Sequence, residues 1–166
     1  MLDPASGRTE RTFPVGAYVP GSPAVCGDRV IVGTYANALL CANWRAGQEL
    51  WRYEVENCPW FAAPACDGRI VVAGGRDQSV HCLDLQTGKR NWTFATQGPV
   101  DSAPVICQDT ILVGSDDGRL YLLNAANGKE MWSYDIGKPL KSAPAVVDGL
   151  AIVGAGDGVV YAFGWQ

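Results

Sequence analysis

The stretches LDLQTGKRNW (83–92) and LNAANGKEMW (123–132) decide the fold, because they repeat one pattern forty residues apart. A third copy, ANWRAGQELW (42–51), precedes them by nearly the same interval. In each copy a glycine stands four residues before a tryptophan, so that a turn leads into a strand-like run. Repetition at a period of about 20–50 residues is typical of solenoids and propellers.

Other residues repeat with the same period along the whole chain. Four prolines are separated by 41, 40 and 40 residues, and four glycines are separated by the same intervals. These residues are Pro23, Pro64, Pro104 and Pro144, and Gly33, Gly74, Gly114 and Gly154. The chain therefore contains four units of about 40 residues each.

Each unit is predicted to contain four short strands joined by turns. In the third unit, TILVGS (110–115), RLYLLNA (119–125) and EMWSYDIG (130–137) are strand-like, and Gly, Asp and Asn separate them. Asp-Gly pairs at 117–118 and 157–158 predict two-residue hairpins in which both central residues have positive φ. No segment shows a long helical period. The predicted fold is an all-β propeller of four four-stranded blades.

The tryptophan-containing stretches resemble the tryptophan-docking motif of the PQQ-like β-propeller repeats. The stretches GSDDGRLYLLNA (114–125) and GAGDGVVYAF (154–163) fit the same repeat, and the resemblance covers residues 1–166 as a single domain. The family includes quinoprotein alcohol dehydrogenases, the propeller lipoprotein of the outer-membrane assembly machinery, and sensor or scaffold propellers. The resemblance implies a ring of seven or eight blades, so that four blades form half of an eight-bladed ring.

A structural role in joining blades explains why the tryptophans recur once per unit. Burial of an aromatic side chain removes about 150–250 Å² from water. At about 25 cal/mol per Å² this burial contributes roughly 4–6 kcal/mol as an upper bound. The first unit departs from the motif, because Arg11 in LDPASGRTER (2–11) stands where a tryptophan is expected. The predicted docking residues are Trp51, Trp92, Trp132, Gly47, Gly88 and Gly128.

The two ends of the chain have complementary phases within the repeat. Residues 2–16 correspond to an outermost strand with its preceding turn, whereas VVYAFGWQ (159–166) corresponds to a third strand. We therefore expect residues 2–16 to complete the last blade. They could do so within their own chain, giving a four-bladed ring, or in a second copy, giving an eight-bladed homodimer, which we favour. A piece of a longer propeller chain is the remaining alternative.

No arrangement of titratable residues in the sequence predicts a catalytic or metal site. Cys41 and Cys82 share one repeat position and Cys26 and Cys107 share another, and apolar residues fill these positions in other units, so we expect the six cysteines to be free thiols rather than a disulfide framework. His81 stands where other units have Leu or Tyr, so we expect it to pack in the core. Asp77, Asp117 and Asp157 recur as turn residues. No Cys/His spacing is typical of zinc, and no phosphate-binding or nucleophile motif occurs.

These observations favour a non-catalytic scaffold or protein-binding platform over a dehydrogenase. The resemblance to the quinoprotein dehydrogenases implies PQQ, Ca²⁺ and a vicinal disulfide, but this chain has no adjacent cysteines, and we expect no cofactor. The candidate interaction surface comprises the loops that enter each blade's inner strand. These loops carry Trp60, Phe61, Asp101 and Lys141, and Trp60 could alternatively fill the interior.

Charge and hydropathy exclude two classes of partner. The formal net charge of −4 leaves no globally basic surface for nucleic acid. No apolar run approaches the roughly 18 residues of a membrane-spanning helix. The expected partners are a second copy of the chain and an unidentified protein. The family is often periplasmic, but MLDPASGRTERTF (1–13) lacks the apolar core of a secretion signal, so the compartment stays open.

Overall fold

The computed structural model describes residues 4–9 and 12–164. These residues form fifteen β-strands and no helix. The strands are β1 (Ala24–Cys26), β2 (Arg29–Gly33), β3 (Ala38–Asn43), β4 (Gln48–Glu54), β5 (Ala65–Cys66), β6 (Ile70–Gly75), β7 (Ser79–Asp84), β8 (Arg90–Ala95), β9 (Val105–Cys107), β10 (Thr110–Gly114), β11 (Arg119–Asn124), β12 (Glu130–Asp135), β13 (Ala145–Val147), β14 (Leu150–Gly154) and β15 (Val160–Gly164).

The strands form four antiparallel sheets in which neighbours along the chain are neighbours in the sheet. Blade 1 has the order β1-β2-β3-β4, blade 2 has β5-β6-β7-β8, and blade 3 has β9-β10-β11-β12. Blade 4 contains three strands in the order β13-β14-β15. The prediction of an all-β propeller built from repeated four-stranded units is therefore confirmed.

Successive blades are joined at their inner strands. β1 contacts β5, β5 contacts β9, and β9 contacts β13. No contact of this extent joins β13 to β1. The described strands thus form a row of four blades with a first and a last member.

Apolar side chains fill the spaces between blades and account for the continuous apolar runs in the middle strands. β10 is buried along nearly its whole length because blades 2 and 4 cover the two faces of its sheet. β3 is buried to a similar extent, because blade 2 covers one face of its sheet and Phe13 and Val15 lie beside the other. Three clusters form the core, one between each pair of blades. Their members include Ile31, Leu39, Val71 and Leu83 in the first, Val72, Val113 and Leu123 in the second, and Leu112, Leu120, Leu140 and Val153 in the third.

The prediction of two-residue hairpins at the Asp-Gly pairs is wrong. In both turns glycine alone has positive φ, at 90° for Gly118 and 81° for Gly158. The aspartate serves the turn through its side chain, because Oδ1 of Asp117 accepts the backbone N–H of Arg119 at 2.9 Å. The loops are therefore longer turns closed by a carboxylate, which does not require positive φ at the aspartate.

The N-terminal segment lies beside blade 1. Phe13 and Val15 line a cavity of about 160 Å³ together with Val30 and Leu40 of that blade. Among the described residues, no strand borders β15 on the side where β4, β8 and β12 border their neighbours. Completion of the last blade by residues 2–16 stays a prediction. Arg11, its departure from the docking motif, lies outside the described residues.

Two tryptophans pack across the blade interfaces onto glycine turns. Nε1 of Trp51 donates to the carbonyl oxygen of Leu85 at 2.9 Å, and the indole ring covers Gly88 of blade 2. Trp92 repeats this arrangement one blade further on, with Nε1 donating to the carbonyl oxygen of Ala125 at 2.9 Å and the ring over Gly128. Each of these contacts combines apolar burial with a satisfied indole N–H.

A β-bulge in each outer strand directs the tryptophan toward the next blade. In blade 1 the register shifts between Cys41 and Ala42, which leaves Leu50 without a cross-strand partner just before Trp51. Equivalent shifts precede the tryptophans of blades 2 and 3. An extra residue bends and twists its strand locally and so re-aims the side chain that follows.

The docking glycines are required for two reasons, and a pair of substitutions separates them. Gly88 has φ of 68°, and a Cβ there would lie 2.6 Å from the Trp51 ring. Gly27 has φ of 60° but open space at its Cβ position. Gly27→Ala should cost only the left-handed backbone strain of about 1–2 kcal/mol. Gly88→Ala should add an overpacking cost of about 1–3 kcal/mol. Equal losses in urea unfolding would show that the tryptophan contact does not constrain Gly88.

Candidate functional site

The structure places Trp60 inside the molecule, so its assignment to an exposed interaction surface is wrong. Its side chain is 0% exposed. The backbone N–H of Trp60 donates to the carbonyl oxygen of Thr34 at 3.1 Å, and Val100 and Leu140 are fixed in the same way in the following blades. The side chain at this position packs between two successive blades, and Trp60 fills the space between blades 1 and 2.

Phe61 and Asp101 are brought together by Arg76. The Arg76 guanidinium lies 4.1 Å from the centroid of the Phe61 ring. Its Nε and Nη2 donate to the two carboxylate oxygens of Asp101 at 3.0 and 2.8 Å. The network continues to the next blade, where Nζ of Lys141 lies 3.1 Å from a carboxylate oxygen of Asp116. Three of the four predicted surface residues therefore share one continuous loop surface.

This loop surface, defined by Tyr35, Phe61, Arg76, Asp101, Asp116 and Lys141, combines an aromatic edge with paired charges. The Tyr35 ring contacts the Phe61 ring edge-on at 5.8 Å and is 57% exposed. The Lys141 side chain is 60% exposed, whereas that of Asp101 is only 11% exposed. The carboxylates thus hold the cations in place, while the aromatic ring and the cations face solvent. Tyr and Arg in such settings are the residue types enriched at protein contacts.

A second group of polar residues lies below this surface, at the interface between blades 1 and 2. Sγ of Cys58 lies 3.4 Å from Oδ1 of Asp77, and Nε2 of His81 lies 3.0 Å from Oδ2 of the same carboxylate. Nδ1 of His81 lies 3.1 Å from the hydroxyl of Tyr53. Cys58 and His81 are 0% and 3% exposed. We call Cys58, Asp77 and His81 the Cys–Asp–His cluster.

The surroundings of the cluster shift two pKa values in opposite directions. Burial raises the pKa of the Cys58 thiol to about 12. Burial alone would also raise the pKa of Asp77, but the hydrogen bond and charge of His81 outweigh it and lower that pKa. The cluster therefore combines a neutral thiol with an ionised carboxylate in one buried space.

No single repeat position indicates this cluster, because its three residues occupy different positions of the repeat and meet only in the folded blades. In blades 3 and 4 the hairpin aspartate accepts a tyrosine hydroxyl, at 2.7 Å in one blade and 2.8 Å in the other. Blade 2 has histidine at that tyrosine position, and the loop that enters blade 2 has cysteine where the loops that enter blades 3 and 4 have glycine and lysine. The sequence did contain one signal: Cys58 and His81 both depart from the residues that the following units have at these positions.

The docking residues at the ends of the row have different surroundings from those in the middle. Trp132 is 38% exposed, whereas Trp51 is 8% exposed. Trp132 contacts the Phe163 ring at 5.5 Å and lines a cavity of about 710 Å³ between blades 3 and 4. At the other end, Gly47 lines a cavity of about 400 Å³ with Phe13.

The described residues hold their six cysteines as free thiols. They also contain no helix that is long and apolar enough to cross a membrane.

A family comparison agrees with the architecture. Residues 1–104 and 76–164 match the family model described as outer membrane protein assembly factor BamB. The chain belongs to this family. The recognition of a PQQ-like β-propeller is confirmed by this match and by the structural neighbours. No curated protein matches the chain significantly by sequence.

Solved structures of propellers share the fold at low sequence identity. BamB from Moraxella catarrhalis superposes with a TM-score of 0.84 at 21% identity, over 95% of this chain and 54% of that one. The computationally designed Ika4 protein has a TM-score of 0.82 at 18% identity, over 92% and 94%. Quinohemoprotein alcohol dehydrogenase from Comamonas testosteroni has a TM-score of 0.72 at 16% identity, over 84% and 29%. The chain spans about half the length of that BamB, and these identities show the fold alone.

The Arg76–Asp101 pair should stabilise the loop surface more than an exposed ion pair does. Asp101→Ala removes two hydrogen bonds to a charged group and should cost about 1–3 kcal/mol. The control is Asp135→Ala, because Asp135 pairs with Arg119 at 3.2 Å while 54% exposed. That substitution should cost about 0.2–1 kcal/mol. Both losses of unfolding free energy are measured in urea. Equal losses would show that the Arg76–Asp101 pair stabilises the loop surface no more than an exposed ion pair does.

Proposed function

We propose that this chain is a non-catalytic propeller scaffold that binds protein, and that two copies pair to close an eight-bladed ring. One observation carries the pairing: the last docking tryptophan of the row has no glycine turn to receive it, and the N-terminal segment carries a left-handed glycine that no described tryptophan covers. Trp132 is the tryptophan and Gly7 is the glycine. Two copies related by a twofold axis can satisfy both needs twice.

Trp132 belongs to an apolar patch that lacks a cover among the described residues. The rings of Trp132, Tyr134 and Phe163 contact one another at centroid distances of 5.1 to 6.2 Å. Tyr134 is 47% exposed and Val160 is 70% exposed. The neighbouring edge of β15 also presents backbone groups that no described strand pairs. An apolar patch beside an open sheet edge is a surface suited to an added strand.

Gly7 has the backbone of a docking glycine but no ring above it. Its φ of 67° is close to the 68° of Gly88 and the 70° of Gly128. Nothing in the described chain lies within 4 Å of its Cβ position, whereas indole rings occupy that space at Gly88 and Gly128. The segment that follows Gly7 has the phase of an outermost strand. A second copy could therefore offer both the turn and the strand that blade 4 lacks.

Chain lengths among the structural neighbours support a half-ring. The chain matches 94% of the designed Ika4 protein but 46% of the designed Ika8 protein, with TM-scores of 0.82 and 0.79. A fold of this kind thus occurs both in a chain of about this length and in one about twice as long. The same lengths also fit a piece of a longer propeller protein. The mass in solution distinguishes that alternative from a ring of two copies.

The protein-binding part of the proposal rests on the loop surface and the family. The model that matches this chain describes an assembly factor, a class of protein that works by contacting other proteins. The loop surface offers exposed Tyr35 and Lys141 on a frame fixed by ion pairs.

The proposed scaffold function requires neither PQQ nor Ca²⁺. Addition of both to the purified protein should give no dye reduction, and sustained turnover would overturn the non-catalytic assignment.

The pairing predicts a mass near 35 kDa in light scattering, twice the chain mass of 17.7 kDa. Gly7→Ala should shift the equilibrium toward the monomer, because the added methyl would collide with the Trp132 ring of the second copy. Gly27→Ala is the matched control, since it has the same left-handed backbone and open surroundings. A mass near 18 kDa for the unsubstituted chain would rule out the pairing and favour the fragment alternative.

A further inference from the structure

The Cys–Asp–His cluster has the ligand types and the spacing of a transition-metal site. One ligand atom from each of Cys58, Asp77 and His81 lies within 4.8 Å of the other two. Tetrahedral zinc with ligand bonds of about 2.0–2.3 Å places its ligand atoms about 3.3–3.8 Å apart. Oδ1 of Asp77 lies 3.4 Å from Sγ of Cys58 and 3.2 Å from Nε2 of His81, so these two separations around one carboxylate oxygen already approach the required values.

Three departures from the repeat meet at this one place. Position 58 is Gly98 or Lys138 in the next blades, and position 81 is Leu40, Tyr121 or Tyr161. Position 75 is glycine in blade 2, where the other blades have Thr34, Ser115 and Ala155. A Cβ at Gly75 would lie 2.4 Å from Oδ1 of Asp77 and 2.6 Å from Sγ of Cys58. The glycine therefore leaves the space in which the carboxylate and the sulfur approach each other.

The histidine of the cluster is oriented as a metal ligand is. The Tyr53 hydroxyl lies 3.1 Å from Nδ1 of His81, and Nε2 points at the carboxylate. When Nε2 binds a metal, Nδ1 carries the ring proton and donates it to the Tyr53 oxygen. A hydrogen bond to the second ring nitrogen is the usual partner of a metal-bound histidine, because it fixes the tautomer and the ring orientation.

The walls of the cluster limit how an ion could reach it. The Trp60 ring contacts the His81 ring edge-on at 5.0 Å, and Cys58 and His81 are buried. The Asp77 side chain is 21% exposed, so that an ion would enter on its side. Three protein ligands leave one coordination position for water or an added ligand.

We propose that Cys58, Asp77 and His81 bind one divalent transition-metal cation of the zinc class. The soft sulfur and the imidazole favour this class over Ca²⁺ or Mg²⁺, which prefer oxygen ligands alone. Binding forms a sulfur–metal bond at Cys58 and releases its thiol proton to solvent. The proposal replaces the expectation from sequence that the chain holds no metal. It is independent of ring closure, because all three ligands come from one chain.

The test uses Co²⁺ as the probe, followed by competition with Zn²⁺, on reduced and metal-free protein. We expect one equivalent of Co²⁺ per chain, with a thiolate-to-cobalt charge-transfer band that Zn²⁺ removes. Cys58→Ser should abolish the band, and His81→Tyr should lower the affinity at least tenfold. Tyrosine is the residue that blades 3 and 4 hold at the latter position, so this variant keeps a side chain that the repeat accommodates.

Two further variants keep the result interpretable. Tyr53→Phe leaves all three ligands in place and should weaken binding by about 10-fold or more, as loss of a partner to a metal-bound histidine does. Cys26→Ser is the matched control, because Cys26 is a free cysteine elsewhere in blade 1, and it should leave the titration unchanged. Absence of stoichiometric Co²⁺ binding would overturn the proposal, as would a band that survives Cys58→Ser or disappears in Cys26→Ser.

Discussion

Blade 1 is held to blade 2, and blade 2 to blade 3, by a tryptophan that packs over a left-handed glycine and donates its indole N–H to a carbonyl near that glycine. Trp51 and Trp92 make this contact with Gly88 and Gly128. The contact needs a bulge to aim the ring, a glycine without a Cβ to receive it, and an interval of one repeat between them. These needs explain why the sequence repeats as it does, and why the motif tolerates change elsewhere.

The same contact explains why docking residues at the two ends of the row are left uncovered. A unit that contributes a tryptophan to its neighbour leaves a ring exposed wherever no neighbouring turn receives it, which is the situation of Trp132. A glycine turn near the start of the chain has no earlier blade to supply a tryptophan, and Gly7 is uncovered in this way. Repeat architectures meet this problem with capping units or with closure, because open sheet edges invite association. In the proposed pairing, Trp132 of each copy would pack over Gly7 of the other, so that closure of the ring satisfies both contacts.

The sequence predicted the parts of the fold that every unit repeats and failed where one unit differs. The period, the all-β class and the four-stranded blades followed from residues that recur in phase. The prediction of a two-residue hairpin at Gly118 failed for another reason, since that turn recurs at Gly158: the side chain of Asp117 closes the loop without positive φ at the aspartate. Burial of Trp60 could have followed from its alignment with Val100. The meeting of Cys58 with His81 could not, because it depends on which faces of two blades come together.

Exchange of the indole N–H protons with solvent tests the docking contact most directly. The ¹⁵N-labelled protein gives one indole signal per tryptophan, and single Trp→Phe variants assign them. The hydrogen bonds of Trp51 and Trp92 to backbone carbonyls predict slow exchange that is limited by opening of the blade interface. Indole protons of Trp51 and Trp92 that exchange as fast as those of free tryptophan would contradict the account, because the blades would then be held together by something else.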